Sequence, residues 1–335
     1  MNRKIKIGLV GAGKRIHDMY APVLRQIGVD VSGFWNRDAI KGEKLSSAYG
    51  YTRYTDLDKL ANSSDALIIA VNSSALVTME MECVKFGLPI MAETPVWTKD
   101  VVSAYGQKNI PLQIAEQTAW LPSEIFKRDI LKRREIFGIP NIVENDHRTF
   151  EYHGIAQLRS YIGFDQRAVQ VCGSTTAYPM IPFKDGNGVL QSNHVENWEY
   201  GQIKFSNGQL AVYNFSSLYN RCQYRKPRSL RIYTDRASIS NDDNAFDVRY
   251  GTLDGDTTVE HVNVEMPSSV KTTSLSCNFA SWRSKYEQLT DQQEALSVLV
   301  ENFLDHVSSD GKTELLYDVH QGWTDFNLLM AIRTA

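Results

Sequence analysis

The sequence predicts an α/β chain: an N-terminal doubly wound parallel sheet, then an α+β domain with a large open, mostly antiparallel sheet. Three observations predict it. An apolar strand with Ile5, Ile7, Leu9 and Val10 runs straight into Gly11-Ala12-Gly13. Strand-like and helix-like segments then alternate to about residue 120, as in crossover units on a parallel sheet. From about residue 139 the texture changes to β-branched and aromatic runs separated by turn residues.

The glycines come first because they define the ligand. A tight turn after a buried strand needs glycine, and a second glycine lets backbone N–H groups approach a pyrophosphate. The next helix points its positive N-terminal end at the same place. Gly11 and Gly13 fill two slots of the G-x-G-x-x-G pattern, followed by Lys14 and Arg15. Ile16 stands where a third glycine would permit close helix–strand packing, so its branched side chain must push the helix outward or repack. Residues 1–121 therefore read as a dinucleotide-binding Rossmann domain.

Within that domain a helix is expected from about Arg15 to Ile27, a strand over Val29 to Trp35, and a helix over Ala39 to Tyr49 ending at Gly50. Tyr54 to Leu60 reads as a short helix, Ala66 to Val71 as a buried strand, and Leu76 to Phe86 as a helix closed by Gly87. Pro89 to Ala92 and Pro111 to Ala115 complete the strands. Pro122 to Phe137 reads as one long charged helix opening the second domain, residues 122–335, which binds substrate and mediates oligomerisation.

In that domain the clearest signal is a hairpin over Tyr200 to Phe215 turning at Ser206-Asn207-Gly208. Strands are expected at Val169 to Cys172, Ser229 to Thr234, Phe246 to Tyr250 and Thr258 to Val264, with a turn at Asp254-Gly255-Asp256. Helices follow at about Asp291 to Val307 and Val319 to Arg333. Lys184-Asp185-Gly186-Asn187-Gly188 reads as a mobile loop. Tyr178, Phe183, Trp198, Tyr200 and Tyr219 are candidates to line a cavity or to pack the sheet. An uncovered sheet face implies a homodimer or homotetramer.

Composition narrows the ligand class. Thirty-six Lys plus Arg against 39 Asp plus Glu give no basic footprint for nucleic acid and no polybasic segment for a membrane, which points to a small-molecule substrate. Cys83, Cys172, Cys222 and Cys277 lie far apart with no C-x-x-C pair, so neither a zinc site nor a disulfide framework is expected; free thiols fit the cytoplasm. The basic Met1-Asn2-Arg3-Lys4 precedes an apolar stretch only a strand long and containing Lys6, unlike a secretory signal or membrane span. His194 and Glu196 alternate on one strand-like face without a visible third ligand. They read as an exposed sheet face or a dimer contact, and no metal is expected.

After the second strand a carboxylate usually binds the ribose 2′-hydroxyl of NAD. Here Asn36 takes its place and Arg37 follows. That removes repulsion toward a 2′-phosphate and supplies a cation for it, favouring NADP with NAD possible. The plainer reading leaves Arg37 as a solvated loop residue.

From Ala70 through Pro95 the order of strand, helix, Gly87, strand and Glu93-Thr94-Pro95 resembles, without gaps, the glucose–fructose oxidoreductase / inositol dehydrogenase (Gfo/Idh/MocA) family. Ile114 to Pro122 is similar to the segment after the family's next strand and places Gln117 where an asparagine often faces the nicotinamide. His153 to Gly163 follows a family helix that starts at a catalytic histidine and ends ten residues later at glycine. The resemblance implies that Val71, Asn72, Glu93, Thr94 and Gln117 join the glycine loop in holding cofactor. It also implies that His153 acts as acid or base, with Thr94 and Tyr152 beside it at the reacting centre and substrate bound between the domains.

The departures shape the chemistry. Thr94 replaces a lysine that holds the substrate hydroxyl and nicotinamide ribose, Leu76 a histidine, Asn72 a proline, and Thr149 and Ala156 aspartates near His153. Alcohol oxidation needs a base set of which one partner survives, whereas reduction needs only one placed proton donor. The expectation is an NAD(P)H-dependent reductase or dehydrogenase acting on a small carbonyl, cyclic imine or sugar-like substrate. The alternatives are a catalytically silent ligand-binding or partner protein, and an NAD-assisted non-redox lyase or hydrolase. Pro95 is a candidate cis proline.

Overall fold

The computed structural model describes residues 4–185, 187–218, 222, 228–242, 245–251, 255–263, 272–274, 281–283, 285–286 and 288–335. The chain forms two compact units, Met1–Leu121 with Lys285–Thr324, and Pro122–Ser284 with Asp325–Ala335. Residues 285–324, expected with the second half of the chain, thus group with the first unit.

The first unit holds β1 (Lys6–Val10), a π-helical turn (Ile16–Tyr20), α1 (Ala21–Ile27), β2 (Asp30–Trp35), α2 (Ala39–Tyr49), β3 (Arg53–Tyr54) and α3 (Leu57–Asn62). After these come β4 (Ala66–Ile69), α4 (Ser73–Cys83), β5 (Ile90–Ala92), α5 (Lys99–Gln107) and β6 (Leu112–Ile114). All six strands are parallel, in the order β3-β2-β1-β4-β5-β6. β4 is buried at all four positions, as a strand covered on both faces must be. α2 starts where Asp38 accepts from the Lys41 N–H and stops at left-handed Gly50, matching its expected span.

Two segments differ from expectation. Tyr54 closes an edge strand rather than opening a helix, because the helix waits for its cap: Asp56 accepts from the Asp58 N–H. α5 was not foreseen. It buries Val101, Val102 and Tyr105, but its polar residues and Gly106 mask the stripe.

The second unit begins with α6 (Pro122–Leu131), α7 (Arg134–Phe137), β7 (Pro140–Asp146) and α8 (Glu151–Ile162). It continues through β8 (Ala168–Pro179), β9 (Phe183–Lys184), β10 (Leu190–Gln191), β11 (Val195–Phe205), β12 (Leu210–Ser216) and β13 (Ser229–Thr234). Last come β14 (Ala237–Asp242), β15 (Ala245–Gly251), β16 (Thr257–Asn263), β17 (Thr272–Ser274) and β18 (Ser281–Arg283). Eight strands form one sheet, β16-β15-β14-β13-β7-β12-β11-β8, antiparallel except for the pair β12–β7. The predicted hairpin is β11–β12, with Lys204 opposite Leu210. α8 lays Ile155, Leu158, Tyr161 and Ile162 on an inner face of Val143, Ile203, Phe205, Tyr213, Leu230 and Ile232.

The single helix expected from Pro122 to Phe137 is instead two, separated at Lys132-Arg133. Tertiary bonds hold the second piece: Arg236 Nη1 donates to the Glu135 carbonyl at 2.8 Å, and the Thr234 hydroxyl donates to that of Phe137. The strand expected at Val169 to Cys172 extends to Pro179. Glu196 does not lie on an exposed polar face; it is 1% exposed and accepts from the Ser216 hydroxyl. Phe183 packs in a small cluster with Leu218 and Cys222, while Tyr178 and Tyr200 are exposed. Asp185 organises its loop by accepting from the N–H groups of Asn187 and Val189. Gly186, Tyr219, Asp254, Val264 and Cys277 lie outside the described residues.

Two further helices complete the chain. α9 (Asp291–Ser308) opens with a capping box between Thr290 and Gln293, and α10 (Val319–Thr334) begins in the first unit and ends in the second. Among the described residues no helix is long and apolar enough to cross a membrane.

Candidate functional site

At the carboxyl edge of the parallel sheet, Gly11 holds φ +125°, and a Cβ there would come within 2.4 Å of the Ala70 carbonyl oxygen. Only glycine fits. Gly13 is different: a Cβ there would meet nothing within 4 Å, so the space above it is open for a ligand to approach the backbone. A helix begins directly at Lys14, turning N–H groups to that space. These features fit a dinucleotide pyrophosphate.

Ile16 repacks rather than displacing the sheet. It is fully buried and starts the five-residue π turn, closed by the Ala21 N–H on the Ile16 carbonyl. The wider turn points both Ile16 and Tyr20 into the core, a local form frequent near functional sites.

The ends of β5 and β6 carry the polar centre. β5 leads into Glu93 and Thr94, whose bond to Pro95 is cis, and Gln117 follows β6. Arg15 reaches across from the glycine turn: its Nε donates to Glu93 Oε1 at 2.7 Å and its Nη2 to Gln117 Oε1 at 2.8 Å. The Tyr20 hydroxyl donates to the same Glu93 oxygen at 2.7 Å, and Gln117 Nε2 donates to Gln292 on α9. Burial disfavours the Arg15 charge, yet Glu93 outweighs it and holds the guanidinium above its ordinary range. Burial, and then Glu93, push the Tyr20 phenol well up, so it stays a donor.

At the end of β2 the Asn36 amide donates to the Asp38 carbonyl at 2.8 Å. The Asp38 carboxylate, the nearest acid, is engaged at the start of α2. Arg37 is exposed. Lys14 and Asn72 are exposed and Val71 is half-buried. Sequence reasoning thus named three residues that touch, Arg15, Glu93 and Gln117. It missed Tyr20 and Gln292, for which no local signal exists.

In the second unit His153 lies in the first turn of α8, half-buried. Its ring packs tilted on Tyr152 with centroids 4.3 Å apart and edge-on to Phe150 at 4.8 Å. Glu151 receives Arg333 Nη2 at 3.1 Å. A further histidine escaped sequence reasoning. His147, at φ +57° and 5% exposed, shares a bond with Asp146 at 2.8 Å. Among the described residues no group of three or more His, Cys, Asp or Glu is arranged to hold a metal.

Residues 5–108 match the model of the oxidoreductase family GFO_IDH_MocA, NAD-binding Rossmann fold. That match lies wholly within the first unit, which is thus similar to the family's NAD-binding Rossmann domain. No curated protein sequence matches it. Among solved structures, UDP-N-acetylglucosamine 3-dehydrogenase GnnA from Acidithiobacillus ferrooxidans shares the fold at TM-score 0.69 and 15% identity, over 99% of this chain and 97% of that one. An oxidoreductase from Agrobacterium radiobacter in complex with NAD+, L-tartaric acid and magnesium gives 0.70 and 16%, over 98% and 95%. Biliverdin reductase from Synechocystis, in complex with biliverdin and NADP+, gives 0.67 and 13%, over 98% of each chain. Those likenesses establish the fold.

Proposed function

We propose that this chain is an NADPH-dependent reductase of the Gfo/Idh/MocA family, acting on a small carbonyl, cyclic imine or conjugated substrate and working as a homodimer or homotetramer. One observation carries the reading: the chain keeps the nucleotide cradle, with open space over Gly13, but has neutral Thr94 after Glu93. A site without a lysine there keeps His153 as its one proton-handling group, fewer than alcohol oxidation uses and enough for reduction, which asks only for a donor. Arg37, with no acidic neighbour at Asn36, supports NADP over NAD. The fold shared with a biliverdin reductase supports a conjugated substrate, and that shared with a sugar-nucleotide dehydrogenase a sugar-like one.

The bound dinucleotide supplies the hydride. Gly11, Gly13 and Lys14 would hold its pyrophosphate region together with the backbone at Arg15 and Ile16. Asn36 and Arg37 would hold the adenosine end, and Val71, Asn72, Glu93, Thr94 and Gln117 the nicotinamide end. His153 would give its proton to the substrate oxygen or nitrogen, with Tyr152 packed on the imidazole to fix its plane.

The test is direct. Quenching of tryptophan emission should report NADPH binding tighter than NADH, and NADPH should be consumed with some member of a panel of carbonyls and cyclic imines. His153→Ala should lower that turnover by about 10²- to 10⁴-fold with nucleotide affinity kept. Unchanged turnover would remove His153 from the proton path; nucleotide bound but never consumed would favour a silent or non-redox protein.

A further inference from the structure

We propose that Arg15 is a fixed hydrogen-bond donor at the nicotinamide end of the sheet, its outward guanidinium edge holding the negative charge that gathers on the substrate oxygen or nitrogen as hydride arrives. The proposal rests on the reductase reading above and adds to it a second group at the reacting centre.

The placement argues for it. Arg15 is two residues beyond Gly13, where a basic side chain would ordinarily serve the pyrophosphate. Its head is instead bonded to Glu93 and Gln117, which follow β5 and β6. In the order β3-β2-β1-β4-β5-β6 those strands lie on the side of β1 away from β2, and β2 carries Asn36 and Arg37. A dinucleotide stretched across such an edge with its adenosine by β2 has its reactive ring on the Arg15 side.

The bonding argues for it as well. A guanidinium has five N–H donors in a rigid fork. Glu93 takes Nε–H and Gln117 one hydrogen of Nη2, so both hydrogens of Nη1 and one of Nη2 have no partner among the described residues. The side chain is 31% exposed, so that edge is reachable. Tyr20 shares the Glu93 oxygen and lies under the guanidinium carbon, 5.8 Å from its ring centroid, while Gln292 holds Gln117. The fork is fixed before any ligand arrives, which is what electrostatic stabilisation of developing charge requires. A guanidinium does not give up its proton, so Arg15 can steady charge but cannot take a proton from an alcohol.

Sulfite tests the idea without knowledge of the substrate. Its sulfur lone pair bonds to C4 of an oxidised nicotinamide, cancelling the ring charge and leaving a sulfonate where a substrate would stand; no other reactant is involved. The adduct is read by its near-ultraviolet absorbance and the nucleotide by tryptophan quenching. With NADP+ bound, the wild type should form the adduct. Arg15→Gln should weaken sulfite about 10- to 100-fold, the loss of one charge-assisted bond, with NADP+ affinity within about twofold. Arg15→Lys, which keeps a cation for Glu93 and guards against misfolding, should fall between. Equal sulfite affinity in wild type and R15Q would overturn the proposal. So would a loss of NADP+ affinity that accounts for the whole effect, since Arg15 would then be a cofactor anchor. A wild type that binds no nucleotide fails the earlier reading instead, and is recognised before sulfite is added.

Discussion

Each unit buries a glutamate completely, and the two meet opposite surroundings. Glu80, on α4, has no partner among the described residues for either carboxylate oxygen, and burial alone pushes its pKa up to about 8. Glu124, on α6, accepts from Lys127 Nζ at 2.7 Å and from the Tyr161 hydroxyl at 2.5 Å. Burial favours its neutral form too, but the charges of Lys127 and Arg148 and the two hydrogen bonds prevail and hold it below the ordinary carboxylate range. Depth is therefore no guide to charge. The cost of desolvation is common to both, and partners decide which way the proton goes.

The largest expected effect comes from the unpaired side. In the unfolded chain Glu80 ionises near its ordinary 4.5, whereas in the folded protein it ionises near 8. Below pH 4.5 both states are protonated and Glu80 costs nothing through ionisation. Between 4.5 and 8 the unfolded state gains from ionising and folding stability falls, and above 8 the loss is complete at about 4 to 5 kcal/mol. Glu80→Gln removes the titration, so its stability relative to wild type should climb by that amount from about pH 4.5 to about pH 8 and then level. Urea midpoints across that range measure it. A difference independent of pH would show that Glu80 finds a partner in solution.

On the paired side the sign reverses. Lys127 is fully buried, and burial, aided by Arg148, lowers its pKa to about 8 despite Glu124. Lys127→Met leaves Glu124 buried with one cation fewer. Removing one member of such a pair costs about 3 kcal/mol, so a drop in the urea midpoint near neutral pH is expected. If K127M were as stable as wild type, Arg148 alone would suffice for Glu124.

The same contrast separates what the sequence shows from what it hides. α2 has the limits expected because Asp38 and Gly50 mark them locally, and β13 emerged intact from its alternating pattern. The glycine turn was legible for the same reason: Gly11 answers to its own φ and to one nearby carbonyl. The pairing of Arg15 with Glu93, 78 positions apart, and of Gln117 with Gln292, 175 apart, had no local mark. The residue types were visible at both ends, and only the folded sheet edge brings them within reach. The separation of α6 from α7 was hidden likewise, because the β13–β14 turn supplies the bonds that hold it. Glu80 was hidden by its helix, where a glutamate every few positions ordinarily means a solvated face.

The smallest effect sharpens the comparison most, because it changes partners without changing charge. Tyr161→Phe deletes only the hydroxyl that donates to Glu124 Oε2, leaving Lys127 on the other oxygen. Losing a hydrogen bond to a buried charged group costs about 2 kcal/mol. Because that bond is one of the groups holding Glu124 low, its loss should also raise the Glu124 pKa. A carboxylate with a depressed folded pKa contributes stability above its unfolded pKa and loses it as pH falls through the folded value. Y161F should therefore lose the most relative to wild type near neutral pH and approach it in acid. Urea midpoints at neutral and acid pH measure this. A constant deficit at every pH would mean that Tyr161 acts by packing alone, with Lys127 and Arg148 accounting for the whole electrostatic difference from Glu80.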